Sequence, residues 1–384
     1  MGKTIRIGVF GTWRGNTYVK TLYAGKIAGA RITALCDKDP ERLNSALSNC
    51  PAGRWAPKTF SDAEEFFASG LFDAVFLCNY FPEHAKYAIK ALDMGIHVLS
   101  ETMAAATMAD AVNLCRAAER SGAVYMMAEN YPYTRGCFEL KRVYEEGNLG
   151  KVMFAEGEYV HPMSPAETEK YHGVAKNGKN HWRLYLPVTY YCSHSLAPLL
   201  FMTGEMPRRV VTMSALDAPG HNNCGVMLIG TDKNAVFRIN GSSYFGAKGN
   251  WYRLSCAKGT VETVRGHEAH VRLTYNKWDL PTPETSNDET YEAVWQTDGD
   301  FASACGHGGG DYWAVRYFLE AVRGKRTPFP DVYQSCAMSA VGILGWRSLQ
   351  DGNVPYDIPD FKDEEVRKLW ENDDYSPFPS PDNE

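Results

Sequence analysis

Residues 4–43 read TIRIGVFGTWRGNTYVKTLYAGKIAGARITALCDKDPERL, and the order of features in this stretch decides the fold of the first half of the chain. A short apolar run (4–10) ends at Gly11, and a second (31–37) ends at Asp37. Gly8, Gly11 and Gly15 follow the first run and precede a helical stretch. The strict G-x-G-x-x-G spacing is not met, because Trp13 and Asn16 stand at the later glycine positions. The order strand, glycine turn, helix, strand, acidic residue still points to a dinucleotide site. Glycines let a backbone approach a pyrophosphate, and a helix N-terminus favours its charge. Asp37 can accept both hydroxyls of an adenosine ribose and would repel a 2′-phosphate, which favours NAD over NADP. The alternative makes Gly11 and Gly15 plain turn residues and Asp37 a cap for the helix opening at Pro40.

Outward from this stretch the alternation continues. FDAVFLC (72–78), HVLS (97–100) and VYMMAE (124–129) are further short apolar runs. Runs apolar on both faces suit a parallel sheet covered by helices. Between them, Ala85, Ala88, Ile89 and Leu92 keep a helical stripe that Gly95 closes. Thr107 is expected to cap the next helix, and Ser61 with Glu64 reads as a capping box. Residues 1–130 are therefore expected to form a doubly wound α/β domain with a parallel sheet. After Tyr133 the pattern changes: one helix (about 134–147) gives way to strand-like runs from VMFAEGEYV (152–160) to HVRLTY (270–275). KNA and KGT read as hairpin joints. Residues 131–362 are expected to form an α+β domain with a large, open, mainly antiparallel sheet, and 363–384 an acidic, Pro-containing tail. Residues 276–310 are polar and irregular, and a loop that long is often functional.

Composition narrows the function. The 384 residues correspond to about two domains. With 44% hydrophobic and 22% charged residues, disordered and fibrous classes are excluded. Forty basic against 46 acidic residues leave a net charge of −6, which offers nothing to nucleic acid or an anionic membrane surface. No apolar run approaches the ~18 residues of a membrane span, and MGKTIRIGVFGTW is too interrupted for a signal peptide. None of the ten cysteines forms a C-x-x-C pair, and Cys36, Cys78 and Cys115 sit in apolar segments. They read as reduced thiols of a cytoplasmic protein. No metal site is expected: the closest histidine pair, His267 and His270, lies on a strand-like run where side chains three apart face opposite ways.

IRIGVFGTWRG, ITALCDKDPERL and VFLCNYFPEHAKYAIKALDMGIHVLSE together resemble the Gfo/Idh/MocA oxidoreductase family, over about residues 4–362. The resemblance implies a Rossmann domain whose cofactor contacts include Gly11, Thr12, Trp13, Arg14, Asp37, Asn79, Tyr80 and His84. The family's Glu-Lys-Pro motif reads Glu101-Thr102-Met103 here. The glutamate, a nicotinamide-ribose ligand by resemblance, is kept; the lysine that assists sugar dehydrogenation is gone. The Asp-x-x-x-His motif of the second domain is also broken, with Tyr190 four residues before His194. A sub-branch fits better. SETMAAATM, MMAENYPYTRG, GKVMFAEGEYVHP, NHWRLY, YYCSHSLAP and GHGGGDY resemble the NAD-dependent glycosidases of glycoside hydrolase family 109, the α-N-acetylgalactosaminidase type, which also lack the lysine. Their Tyr-Pro-Thr-His-Gly-Leu-Gly-Pro segment aligns with Tyr191–Pro198. The stretch between Met163 and His181 is idiosyncratic, so the sugar preference is not inherited.

In such an enzyme, bound NAD⁺ oxidises the sugar C3 hydroxyl to a ketone, which acidifies the C2 hydrogen. A base removes it, the C1 substituent leaves, water adds, and C3 is reduced again. Cleavage is then hydrolysis with no cofactor consumed, and the usual carboxylate pair is not needed. Tyr191 and His194, three apart at a helix start, share a face, and the helix dipole would lower the pKa of both. His194 is expected near the C3 hydroxyl and Tyr191 near the C2 hydrogen, or the reverse. Alternatively, His194 is a structural cap and Tyr191 a core aromatic. Arg183, Trp182, His307 and His161 are candidate substrate contacts, with Tyr159 at the same rim by resemblance. Asn130 could bond the nicotinamide carboxamide. The competing readings are a sugar or polyol dehydrogenase that releases NADH and a non-catalytic NAD/sugar sensor. The partner is expected to be a glycoside or sugar, and the open sheet face predicts a homo-oligomer.

Overall fold

The computed structural model of the chain describes residues 3–172, 181–215, 224–242 and 246–379. It groups into two compact units, neither continuous in sequence. One is Met1–Tyr133, Trp295–Cys336 and Arg367–Asn372; the other is Thr134–Val294, Ala337–Val366 and Asp373–Glu384. Residues 295–336 and 367–372 thus group with the N-terminal unit, whereas the sequence reading puts the first of these in the second domain (131–362) and the other in the tail (363–384).

In the first unit six strands pair in parallel: β1 (Ile5–Phe10), β2 (Ala30–Cys36), β3 (Lys58–Phe60), β4 (Ala74–Leu77), β5 (His97–Ser100) and β6 (Tyr125–Met127). Their order is β3-β2-β1-β4-β5-β6. All four residues of β4 are buried, as expected of a strand covered on both faces. The helices are α1 (Thr12–Ala24), α2 (Pro40–Leu47), α3 (Ala63–Ala68), α4 (His84–Asp93) and α5 (Met108–Ser121). Thr107 caps α5 by accepting from the Asp110 N–H at 3.0 Å. The capping box expected at Ser61 is displaced by one residue: Asp62 caps α3, accepting from the Glu65 N–H at 2.9 Å. Likewise the cap of α2 is Asp39, which accepts from the Glu41 N–H at 2.9 Å, so Asp37 is left for another use. Strand order reverses between β1 and β4. At such a switch point the carboxyl ends of the strands diverge and leave a crevice for a ligand.

In the second unit nine strands form a mixed, mostly antiparallel sheet: β7 (Val152–Val160), β8 (Pro207–Ser214), β9 (Cys224–Thr231), β10 (Val236–Ser242), β11 (Gly249–Cys256), β12 (Gly259–Val264), β13 (His267–Tyr275), β14 (Asp288–Glu292) and β15 (Tyr356–Asp357). The order is β14-β13-β12-β11-β7-β10-β9-β8-β15, and only β7 and β10 pair in parallel. The helices α6 (Arg135–Glu145), α7 (Pro165–His172) and α8 (Ser193–Thr203) precede the rest of the sheet. α8 lies directly on β7: a Cβ on Gly157 would come within 2.1 Å of the Ser195 carbonyl oxygen, so only glycine fits. On the opposite face Met213, Val226, Leu228 and Val236 are exposed.

Residues 276–310 are less irregular than their composition suggests. They hold β14, α9 (Gly299–Ser303) and a 3-10 turn (His307–Gly309) leading into α10 (Gly310–Val322). The two remaining helices are α11 (Val332–Gln350) and α12 (Glu364–Lys368), the latter in the segment read as tail. The histidine pair also differs from expectation. The pairing of β12 with β13 shifts register between Thr263 and Val264, and His267 and His270 meet edge to face with centroids 5.5 Å apart. The bulge breaks the alternation that a regular strand would impose. Among the described residues, no group of three His, Cys, Asp or Glu is placed to hold a metal ion. No helix among them is long and apolar enough to cross a membrane.

Candidate active site

Gly11 sits at the switch point with φ +88°, and a Cβ there would lie 2.4 Å from the Cys78 carbonyl oxygen. The turn can pass from β1 into α1 against the end of β4 only because the residue is glycine. Asp37, at the end of β2, ties this turn down: its Oδ2 accepts from the Thr12 N–H at 2.6 Å and the Thr12 hydroxyl at 2.8 Å. Its Oδ1 accepts from the Asp39 N–H at 2.9 Å. A carboxylate has about four acceptor sites, so one remains for a ribose hydroxyl. Trp13 is half-exposed, with the Arg42 guanidinium 5.4 Å from its ring centre.

After β4, Asn79 keeps a buried Oδ1 with no hydrogen-bond partner among the described residues. Tyr80 beside it is 54% exposed. His84 is different from expectation. Its ring is buried and bridges the Met103 carbonyl (Nδ1, 2.9 Å) and the Asn79 carbonyl (Nε2, 3.1 Å). Burial holds the imidazole below its usual pKa despite those two carbonyls. A neutral ring donates to one of these carbonyls and only faces the other, so His84 braces the Asn79 turn and the 102–103 segment with both nitrogens turned toward protein carbonyls.

A buried charge cluster lies at the ends of β1, β5 and β6. Arg14 Nε donates to Glu101 Oε1 at 2.7 Å, and Arg14 Nη2 to Asp311 Oδ1 at 2.8 Å. The Tyr18 hydroxyl donates to the same Glu101 oxygen at 2.5 Å. Burial opposes ionisation of Glu101, but Arg14 and Tyr18 outweigh it and hold the carboxyl below its usual range. Burial acts on Asp311 in the same sense, and His307 and Arg14 pull it well below its ordinary value. Asn130 Nδ2 donates to Asp311 Oδ1 at 2.8 Å, while the Asn130 Oδ1 is buried without a partner among the described residues. An amide acceptor left unmatched inside a protein is costly, and a carboxamide N–H is the kind of donor that would satisfy it. The residues therefore fit a nicotinamide dinucleotide: a glycine cradle, a carboxylate at the ribose position, and two orphaned amide oxygens past β4 and β6. Thr102, in the lysine's place, is joined to Met103 by a cis peptide bond.

In the second unit Tyr191 ends a 3-10 turn (Val188–Tyr191), and His194 lies in the first turn of α8. Their rings meet edge to face with centroids 4.9 Å apart. Tyr159, near the end of β7, contacts both, at 4.7 Å from His194 and 5.8 Å from Tyr191. His161 stacks on Tyr159 at 5.8 Å, and burial together with Lys248 lowers its pKa. The Arg183 guanidinium lies 5.7 Å from the Tyr191 ring centre. Trp182 belongs to the same 3-10 turn as Arg183, but its side chain lies outside the described residues. The Tyr252 hydroxyl donates to the His194 carbonyl at 2.7 Å, fixing the start of α8. The structure thus brings Tyr191, His194, His161 and Arg183 together, with Tyr159 at the centre. His307 belongs to the first unit, bonded to Asp311 at 2.8 Å. Sequence reasoning overlooked Tyr18 and Asp311; each stands four residues after a singled-out residue, Arg14 and His307, a helical spacing that could have raised them.

Residues 5–129 match the family model described as oxidoreductase family, NAD-binding Rossmann fold, and residues 246–368 match glycosyl hydrolase 109, C-terminal domain. A glycosyl hydrolase family 109 protein of Stenotrophomonas maltophilia is 24% identical over 94% of this chain and 89% of its own length. One of Saccharopolyspora erythraea is 24% identical over 99% and 86%. Among solved structures, the WlbA dehydrogenase of Bordetella pertussis in complex with NADH and UDP-GlcNAcA superposes with a TM-score of 0.75 at 18% identity, covering 94% of this chain and 99% of that one. Levoglucosan dehydrogenase in complex with NADH and levoglucosan gives 0.75 at 15% identity, covering 93% and 99%.

Proposed function

Because the chain belongs to the Gfo/Idh/MocA oxidoreductase family and resembles its glycoside hydrolase 109 branch, we propose that it is an NAD-dependent glycoside hydrolase that oxidises its sugar transiently and consumes no NAD. The observation that carries the reading is the edge-to-face contact of Tyr191 and His194, 4.9 Å between centroids. It supplies two proton-transfer groups in a chain with Thr102 where a sugar dehydrogenase of the family keeps its lysine.

Bound NAD supplies a hydride acceptor for the sugar C3 and later returns that hydride. His194 takes the C3 hydroxyl proton, and Tyr191, as phenolate, takes the C2 hydrogen as a proton. The electron pair left at C2 forms the C1–C2 double bond as the C1 substituent leaves. Water then adds at C1, with its second proton going to the departed oxygen, Tyr191 returns its proton to C2, and His194 returns its proton to the C3 oxygen as the hydride comes back to C3. Each well-placed acid or base contributes roughly 10²–10⁴-fold. Arg183 donates to sugar hydroxyls beside Tyr191, and the Tyr159–His161 stack offers a flat wall for a sugar ring. On the cofactor side, Asp37 accepts one adenosine ribose hydroxyl at its remaining acceptor site, Glu101 the nicotinamide ribose, and Asn79 and Asn130 receive donors at their orphaned oxygens. Thr12 and Arg14 hold this cradle in shape, and Trp13 and Tyr80 flank it.

We further propose a cytoplasmic homo-oligomer: all ten cysteines are thiols, and the open sheet face carries Met213, Val226, Leu228 and Val236 toward solvent. The function is tested by incubating the NAD-loaded enzyme with aryl α- and β-glycosides in deuterated water. The expected result is phenol release without stoichiometric NADH, and deuterium at C2 of the freed sugar. NADH accumulating one for one with product would make the chain a sugar dehydrogenase. NAD binding with no turnover of any glycoside would favour the sensor.

A further inference from the structure

The β13–β14 edge of the nine-stranded sheet holds a pocket of about 390 Å³ that the proposed chemistry does not use. Its volume falls among those of small-ligand sites, roughly 300–1,000 Å³. Leu273 pairs with Glu289 there, and Val271 with Tyr291. Alternate positions of a strand share a face, so Leu273, Tyr275, Glu289 and Tyr291 stand on one side of the two strands. Val143 and Glu146, at the end of α6, supply the facing wall, and Pro281 and Thr285 of the β13–β14 connection the rim.

The pocket is remote from Tyr191 and His194. Phe154, Ser255, Thr260 and Thr274 form one row across β7, β11, β12 and β13. Tyr275 lies one position beyond that row, and Tyr159, which touches Tyr191 and His194, lies five positions the other way. At about 3.3 Å per position, roughly 20 Å of strand separates them.

Tyr275 is 6% exposed and yet lines the pocket. Its N–H is taken by the Asn287 carbonyl at 2.9 Å, while its hydroxyl has no hydrogen-bond partner among the described residues. A polar group left unmatched in a buried position is costly. Burial, and then the carboxylates of Glu146 and Glu289, push its pKa up, so the hydroxyl stays a neutral donor and acceptor.

Charge selects the ligand. Arg142, which also lines the pocket, is spent on the protein: it donates to Glu139 Oε2 at 2.9 Å and Oε1 at 2.6 Å, and pairs with Glu146. The Tyr291 hydroxyl holds Glu139 as well, at 2.8 Å. Glu289 forms no ion pair among the described residues. An anion would meet Glu146 and Glu289 with the nearby cation already paired. The carboxylates only accept, so the ligand must bring several donors, and Val143, Leu273 and Pro281 ask for apolar surface beside them. A pyranose has both, with hydroxyls around its rim and C–H groups on its faces. Trp278, 83% exposed, gives the same connection an aromatic face.

We propose that this pocket binds one pyranose unit of a neutral saccharide without cleaving it. Tyr275, Glu146 and Glu289 bond to its hydroxyls, and Leu273 lies against its C–H face. The site stands apart from the glycosidase reading, because binding needs no turnover.

The NAD-loaded enzyme is mixed with glucose, galactose, mannose or their 2-acetamido counterparts, with propylammonium as a cationic control. Amide hydrogen exchange is followed by mass spectrometry. The expected result is saturable slowing in segments 142–149 and 273–291 with at least one of the sugars. Tyr275→Phe and Glu289→Gln should each raise the half-saturating concentration roughly tenfold, and Tyr191→Phe should leave it unchanged. Both pocket substitutions nearly keep the shape of the side chain, and a thermal melt checks that they fold. Slowing confined to segments 159–161 and 188–194, none with any of the sugars, or slowing by propylammonium alone overturns the proposal. Saccharide binding in the pocket without hydrolysis of any glycoside would overturn the glycosidase reading and support this one.

Discussion

Arg14 stands between two buried carboxylates, Glu101 at 2.7 Å and Asp311 at 2.8 Å. Those two carboxyls, and Asp73 in its pairing with Arg6, all sit below their usual pKa. For Asp73 the side-chain hydrogen bond from Arg6 comes first among the causes, and the carboxyl is lowered from 3.8 to about 2. A carboxylate depressed on folding adds stability that is complete above its unfolded pKa and lost as pH falls through the folded value. The melting temperature should therefore decline between about pH 4 and pH 2, less so for Asp73→Asn than for wild type. A melting temperature flat across that window would contradict this account. At the same scale, Tyr191→Phe removes the proposed C2 base and should lower kcat by 10²-fold or more. NAD affinity should be kept, and exchange of the C2 hydrogen with deuterated water abolished. If exchange survives in Tyr191→Phe and is lost in His194→Gln, the two roles are reversed. Gly11 and Asp37 were visible from the sequence because their signals are local to one strand-turn-helix unit. The partnership of Arg14 with Asp311 spans 297 residues, and nothing local announces it.

Elements carry the site only where they can approach closely. α8 rests on β7 at Gly157, where a methyl group would meet the Ser195 carbonyl at 2.1 Å. Gly157→Ala should push α8 off the sheet, cost about 1–3 kcal/mol in a denaturant melt, and lower kcat more than it changes KM, because His194 moves with the helix. A variant with wild-type stability and kcat would show that the helix start is not held by this contact. The apolar runs predicted these strands well, since period and burial agree along them. Short elements were harder. β3 has one buried residue out of three, and β14 has none, so neither leaves an apolar pattern. The bulge that turns His267 toward His270 depends on a register shift between strands, which a single strand's sequence does not encode.

For the whole molecule, the open face of the nine-stranded sheet leaves Met213 and Leu228 at 68% and 45% exposure on neighbouring strands. Apolar side chains clustered on a sheet face favour burial against a second copy. Leu228→Asp should shift light-scattering mass from oligomer toward monomer, and an unchanged mass would place any interface elsewhere. The two family matches cover the ends of the chain, 5–129 and 246–368, while Tyr191 and His194 lie between them. The catalytic proposal is therefore tested best by following an atom through the reaction. An aryl glycoside carrying deuterium at C3 is hydrolysed by the NAD-loaded enzyme, and the freed sugar is examined by mass spectrometry and NMR. The account predicts a slowed reaction with the deuterium back at C3, because the hydride leaves and returns within one turnover. Hydrolysis at an unchanged rate, or deuterium found in released NADH, would contradict it.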